Sequence, residues 1–109
     1  MPLNGQLVVA LAKITDYLLE PTHPDGGPKC RFFASFGFAA TDPAELMDAL
    51  QAHARMRPTF RVQNTPFGQK TVLRCSLPTP DGRDPCILSI WLRERGSNVH
   101  RLLTAYPAK

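Results

Sequence analysis

The sequence has no uninterrupted apolar run approaching a bilayer's thickness, so no membrane-spanning helix is expected and no membrane partner is assigned. Its first residues, Met1-Pro2-Leu3-Asn4-Gly5-Gln6, show neither a cationic start nor a small-residue cleavage pattern, and they are not read as a signal peptide. Cysteine is sparse. Cys30, Cys75 and Cys86 are odd in number, widely spaced, and form neither a CxxC pair nor a His/Cys zinc pattern. Free thiols in a reducing compartment are therefore expected, with no metal and no disulfide framework. There is also no GxSxG, no phosphate-loop lysine motif, no HExxH, no dinucleotide fingerprint and no paired-carboxylate cluster. Those absences exclude the commonest hydrolase, nucleotide-binding and metalloenzyme designs, and no cofactor is expected. Internal repeats and low-complexity segments are missing too.

What is present fits one globular domain spanning 1–109, long enough to bury a core without metal or disulfide support. Proline is abundant, at 11 residues, and falls mostly in connections, which points to stiff loops. The formal net charge of +4 permits a polyanionic partner without demanding one.

Apolar spacing at Leu11, Ile14 and Leu18 with Tyr17 predicts a helix over about 10–19, and the shorter run Leu7-Val8-Val9 suits either a brief strand or that helix's start. Pro21 to Gly27 is a rigid connection, and a short helix is expected from about Lys29 to Phe36 with Gly37 as its C-cap. That placement puts Lys29 and Arg31 beside the positive end of a helix dipole, with His23 on the preceding loop. Two cations there suit a bound phosphate; an ordinary solvated helix start is the competing reading. Asp42-Pro43-Ala44-Glu45 has the form of a capping box and opens a third helix, which Pro58 prevents from extending. His53 on that helix reads as structural.

After Pro58 the period changes to alternation, giving strands at about 59–63, 69–77, 86–93 and 99–106 joined by short turn-rich connections. The expected architecture is α+β: two to three N-terminal helices, within about 10–55, packed on one face of a four-stranded antiparallel meander. Sorting by alternation assigns Leu73, Cys75, Leu77, Cys86, Leu88, Ile90, Leu92, Val99, Leu103 and Ala105 to the helix side. The open face would then carry Lys70, Arg74, Trp91, Arg93, His100, Thr104 and Tyr106, a mixture of cations and aromatics of the kind that holds single-stranded RNA. A polar solvent-facing sheet surface is the plainer alternative. The available His, Lys, Arg, Thr and Tyr groups suffice for metal-independent RNA cleavage by 2′-OH attack on the adjacent phosphate.

A resemblance adds to this reading. Lys13 with Tyr17-Leu18-Leu19, His23-Pro24, Gly27 with Lys29, Arg31 and Phe33, and Phe36-Gly37-Phe38 match one bacterial domain family. So do Thr65-Pro66, Gly68, Lys70, Pro80-Asp81-Gly82, Trp91, and Arg101-Leu102 with Thr104, Tyr106 and Pro107. That family's members occur as small free-standing proteins, at the C-termini of polymorphic and contact-dependent inhibition toxins, and on phage minor head proteins. The order of helices then strands also resembles the barnase–EndoU–colicin–RelE ribonuclease toxins. What these likenesses imply is a cytoplasmically acting endoribonuclease held by a cognate antitoxin or immunity protein. Taken with the face assignment, the ribonuclease likeness points to His23, Lys29, Thr104 and Tyr106 as catalytic residues, and the open face with its neighbouring cations gives Lys13, Arg31, Lys70, Arg74, Trp91, Arg93 and His100 as RNA-binding residues. The alternative is a non-catalytic interaction module, an antitoxin or adaptor, using the same sheet face.

Overall fold

A computed structural model describes residues 5–56 and 59–108; Pro58 and Met1 to Asn4, which figured in the expectations above, lie outside the described residues. The chain opens with a strand, β1 (Gln6–Val8), and then a helix, α1, made of an α turn over Leu11–Lys13 that continues as a π turn over Ile14–Leu18. Helices α2 (Gly26–Ser35) and α3 (Pro43–Met56) follow. Four strands complete the chain: β2 (Thr59–Thr65), β3 (Gly68–Ser76), β4 (Cys86–Glu94) and β5 (Val99–Pro107).

The sheet is five-stranded and mixed, in the order β1-β5-β4-β3-β2. This corrects the expected four-stranded antiparallel meander. The four predicted strands pair as neighbours in sequence order, but Gln6–Val8 joins them as a parallel partner of β5, with Leu7 opposite His100. A three-residue strand is too short for alternation to reveal, and its partner lies more than ninety residues away along the chain.

Local signals do explain the helix ends. Gly37 has φ +104; its N–H bonds the Ala34 carbonyl at 3.0 Å and the Phe38 N–H bonds the Phe33 carbonyl at 3.3 Å, which is a Schellman closure of α2. Helix α3 begins at Pro43, as its missing N–H and fixed φ favour. Helix α2 begins at Gly26, ahead of the expected start, so Lys29 is its fourth residue and Pro28 its third. At the β2–β3 hairpin Gly68 has φ +144, and a Cβ there would collide with the Arg93 carbonyl oxygen, so no other residue fits.

One buried cluster unites the helices with one sheet face. Ile14, Leu18, Phe33, Leu46, Leu50 and Ala54 from the helices meet Leu7, Leu73, Leu77, Ile87, Trp91, Leu102 and Ala105 from the sheet side. Here the expected sorting fails on β4. Ile87, Ser89 and Trp91 turn toward the helices, while Leu88, Ile90 and Leu92 lie on the other face. Both sets are largely apolar, so hydrophobicity could not choose between them. The choice follows from Trp91, which is fully buried and donates Nε1–H to Ser89 Oγ at 2.9 Å, and from His53. His53, also fully buried, meets Ser89 Oγ through Nδ1 at 2.8 Å and the Cys75 carbonyl through Nε2 at 2.9 Å. A carbonyl only accepts, so the ring proton sits on Nε2, and Ser89, accepting from Trp91, donates to Nδ1. On β5 the phase shifts: Ile90 pairs with Thr104 and Trp91 with Leu102, so Leu103 is an inserted bulge residue. His100 and Leu102 therefore face inward, as does Ala105.

Cys75 holds a non-glycine φ of +124, an uncommon conformation that His53 anchors through the Cys75 carbonyl. His53→Ala leaves a cavity and strips partners from Ser89 and that carbonyl. Urea unfolding of the variant is expected to show a loss of about 3 kcal/mol. A loss below about 1 kcal/mol, the size of a surface change, would mean the network does not hold the sheet to α3.

Candidate functional site

β1 stops pairing at Val8, opposite Arg101, because the chain turns at Val9-Ala10 into α1. Among the described residues no strand lies outside β5 beyond that point. Two side chains from the helices come to this open edge instead. Tyr17, on the π turn, places its hydroxyl 3.0 Å from Thr104 Oγ1, and Lys29 Nζ donates to the same phenol oxygen at 2.6 Å. The π turn, closed by the Leu19 N–H on the Ile14 carbonyl at 2.7 Å, keeps Ile14 and Leu18 buried while Tyr17 stays half-buried at the edge.

Other charged and aromatic groups gather on this phenol. Lys13 Nζ is 5.4 Å from the Tyr17 ring centre, and Lys29 Nζ is 4.9 Å from it and 5.9 Å from the Tyr106 ring centre. The His23 ring meets the Tyr17 ring edge-on, with centres 4.9 Å apart. The proline-rich loop fixes His23: its Nδ1 accepts the Asp25 backbone N–H at 3.0 Å, which leaves the ring proton on Nε2. Below it, Thr22 donates both its backbone N–H and its hydroxyl to the Glu20 carboxylate, and these bonds hold Glu20 below the ordinary carboxylate range. Gly27 lets the loop close on α2, since a Cβ there would sit 2.8 Å from the Pro21 carbonyl oxygen.

Lys29 and Tyr106 line a common hollow of about 260 Å³ with Asp25, Pro28 and Pro107. His23, Lys29, Thr104 and Tyr106, named from sequence, are thus brought together, but around a residue given no site role from sequence. Tyr17 is that centre. Its visible signal was the four-residue step from Lys13, which stacks two side chains on one helix face. Burial pushes the Tyr17 phenol up, but the Lys29 and Thr104 hydrogen bonds and the charges of Lys29 and Lys13 together outweigh it, so the phenol is more acidic than ordinary tyrosine.

The remaining expected site residues scatter. Trp91 has no exposed face on which a base could stack, and His100 is buried on the helix side. Arg93 lies five residues along β4 from Leu88, roughly 17 Å from the Tyr106 row, and its guanidinium donates to the Ser97 carbonyl at 3.3 Å. Arg31 is exposed on α2. Lys70 and Arg74 do stand on the face away from the helices, where Arg74 lies 5.5 Å above the Phe60 ring.

That second face is itself apolar at its centre. Val72, Leu88, Ile90, Leu92 and Leu103 form it, with Phe60 and Phe67 exposed at its margin. Arg61, Lys70, Arg74 and Arg101 surround it, against Glu94, which pairs with Arg101 at 3.0 Å. Two hollows open on it, about 400 Å³ beside Lys70 and Arg101 and about 520 Å³ bounded by Phe60, Arg74, Leu88, Tyr106 and Pro107. The larger shares Tyr106 and Pro107 with the hollow at Lys29, so the two adjoin.

Among the described residues no three His, Cys, Asp or Glu side chains gather as a metal site, and no helix is long and apolar enough to cross a membrane.

Comparison with known families places the chain. A family model described as a domain of unknown function, DUF6883, matches residues 2–109. The chain belongs to that family. No curated protein matches the sequence. Among solved structures the fold is similar to a chain of a contact-dependent growth inhibition toxin–immunity protein complex from Klebsiella pneumoniae 342. The TM-score is 0.73 at 18% identity, covering 93% of this chain and 99% of that one. At that identity the likeness shows a common fold.

The Tyr17 environment predicts a pH effect. The folded chain gives up the Tyr17 proton at lower pH than the unfolded chain, so stability gains a contribution as pH rises from the folded-state value toward 10.0. Tyr17→Phe should lack that gain. Denaturant unfolding of both proteins at about pH 7 and about pH 9.5 measures it, and equal changes for the two would contradict the assignment.

Proposed function

We propose that this domain is a toxin-type ribonuclease that cleaves RNA at the β5 edge and is held in check by a cognate protein. The observation that carries the reading is the meeting of Lys29, Thr104 and Tyr106 with Tyr17 and His23 beside an open hollow. The reaction is metal-independent attack of the ribose 2′-OH on the adjacent phosphate, which makes it specific to RNA. Lys29 stabilises charge on the phosphoryl oxygens, Thr104 orients the phosphate, and Tyr106 offers its ring beside the hollow for a neighbouring base. His23, tied through Nδ1 and seated on the Tyr17 ring, acts as a positioning residue. Lys13 adds positive potential close to the same point. The likeness to a component of a toxin–immunity complex supports the toxin setting and the existence of a partner.

The second face favours a place for that partner. An apolar centre within a cationic rim has the anatomy of a protein interface, and aliphatic side chains such as Leu88, Ile90 and Leu103 bury against a protein better than they stack on bases. A protein seated there would abut the Lys29 hollow through Tyr106 and Pro107. The same observation supports the other reading, a non-catalytic interaction module, in which that face does the binding and the Tyr17 cluster is structural.

Inducible expression in a bacterial host separates the two. Wild type is expected to slow growth and fragment cellular RNA, and the purified chain to cut RNA but not DNA. Lys29→Ala and Thr104→Ala should each reduce cleavage by about 100-fold while remaining folded. A purified wild-type chain that leaves total bacterial RNA intact would remove the enzyme reading and leave the interaction module.

A further inference from the structure

We infer that Tyr17 is the catalytic base that takes the 2′-hydroxyl proton, an assignment that rests on the ribonuclease reading above. Its phenol oxygen is where the polar groups of three separate elements meet: α1 supplies the phenol, α2 the Lys29 ammonium at 2.6 Å, and β5 the Thr104 hydroxyl at 3.0 Å. Lys29 can only donate, and Thr104 can turn its hydroxyl toward an anion, so a phenolate here receives two hydrogen bonds. The titratable groups around it are Lys13 on its own helix, His23 on the following loop, Lys29 on α2 and Tyr106 beyond Lys29 on β5. Lys13 and Lys29 add to the acidity that the hydrogen bonds create, against the opposing effect of burial. His23 is the obvious rival base, but its Nδ1 is occupied by a backbone N–H and its Nε2 carries the ring proton, so neither nitrogen is an open acceptor.

In the step itself the Tyr17 phenolate accepts the 2′-OH proton as the O2′–P bond forms and the P–O5′ bond breaks. The departing 5′-oxygen takes a proton from water. The hydroxide left behind takes the proton now on Tyr17, which restores the phenolate. The products are a 2′,3′-cyclic phosphate and a 5′-hydroxyl end, with no oxidation or reduction.

The test uses the whole purified chain with total bacterial RNA as the probe. The sequence has two tyrosines, so in a Tyr106→Phe background the ultraviolet phenolate signal belongs to Tyr17 alone. That signal should appear at lower pH than in the Tyr106→Phe, Lys29→Met double variant. In the wild-type background Tyr17→Phe should cut RNA about 100-fold more slowly without a matching loss of thermal stability. Replacing Tyr17 with 3,5-difluorotyrosine, which is isosteric but more acidic, should move the rising limb of the pH–rate profile to lower pH. A purely structural hydroxyl would not shift that limb. If wild type cuts RNA but the difluorotyrosine profile overlays it, or Tyr17→Phe keeps full activity, this assignment falls and the ribonuclease reading stands. If wild type cuts no RNA, both fall together.

Discussion

The hydrogen-bonded set of His53, Ser89 and Trp91 is the constraint on which the architecture depends. Strand β4 could bury either of two apolar faces, and burial alone scarcely separates them. What separates them is polar satisfaction. Turned inward, Ser89 links Trp91 and His53, and His53 in turn holds the Cys75 carbonyl on β3, so the indole, hydroxyl and imidazole atoms in these bonds are partnered where water is excluded. Because paired residues share a face, fixing β4 fixes its neighbours as well: Leu73 and Ala105 follow Ser89, and Arg74 and Tyr106 follow Leu88 to the other side.

The β5 bulge then sets the position of the site. Without the bulge at Leu103, with β5 alternating evenly from Leu102 onward, Thr104 would keep the phase of His100 and Leu102 and enter the core. With it, Thr104 reaches the free edge that β1 leaves beyond Arg101, where Tyr17 and Lys29 meet it. Three irregularities cooperate here: a strand only three residues long, a π turn in α1, and a bulge in β5. Irregular backbone of this kind lowers local regularity and persists where surrounding contacts hold it. All three lie at the β5 edge where Tyr17, Lys29 and Thr104 meet.

The apolar second face and the Lys29 hollow are joined through Tyr106 and Pro107. That continuity gives one physical account of both halves of the proposed function. A protein resting on Leu88, Ile90 and Leu103 with carboxylates toward Arg61, Lys70 and Arg74 would crowd the mouth of the hollow without entering it. Inhibition would then require no change of fold, only occupancy of a neighbouring surface.

By itself the sequence determined the elements that local chemistry encodes: α3 from Asp42-Pro43-Ala44-Glu45, the end of α2 from Gly37, and four of the five strands from alternation and turn residues. It also marked His23, Lys29, Thr104 and Tyr106 as chemically capable groups that the fold proved to gather. Tertiary structure alone decided the parallel pairing of Gln6–Val8, the inward turn of Trp91 and His100, and the central place of Tyr17. Each of these turns on a partner far along the chain: β5 for β1, His53 for Ser89 and Trp91, Lys29 and Thr104 for Tyr17. Capping and turn signals act within a few residues, whereas the facing of a strand apolar on both sides is settled only by which buried polar groups find one another.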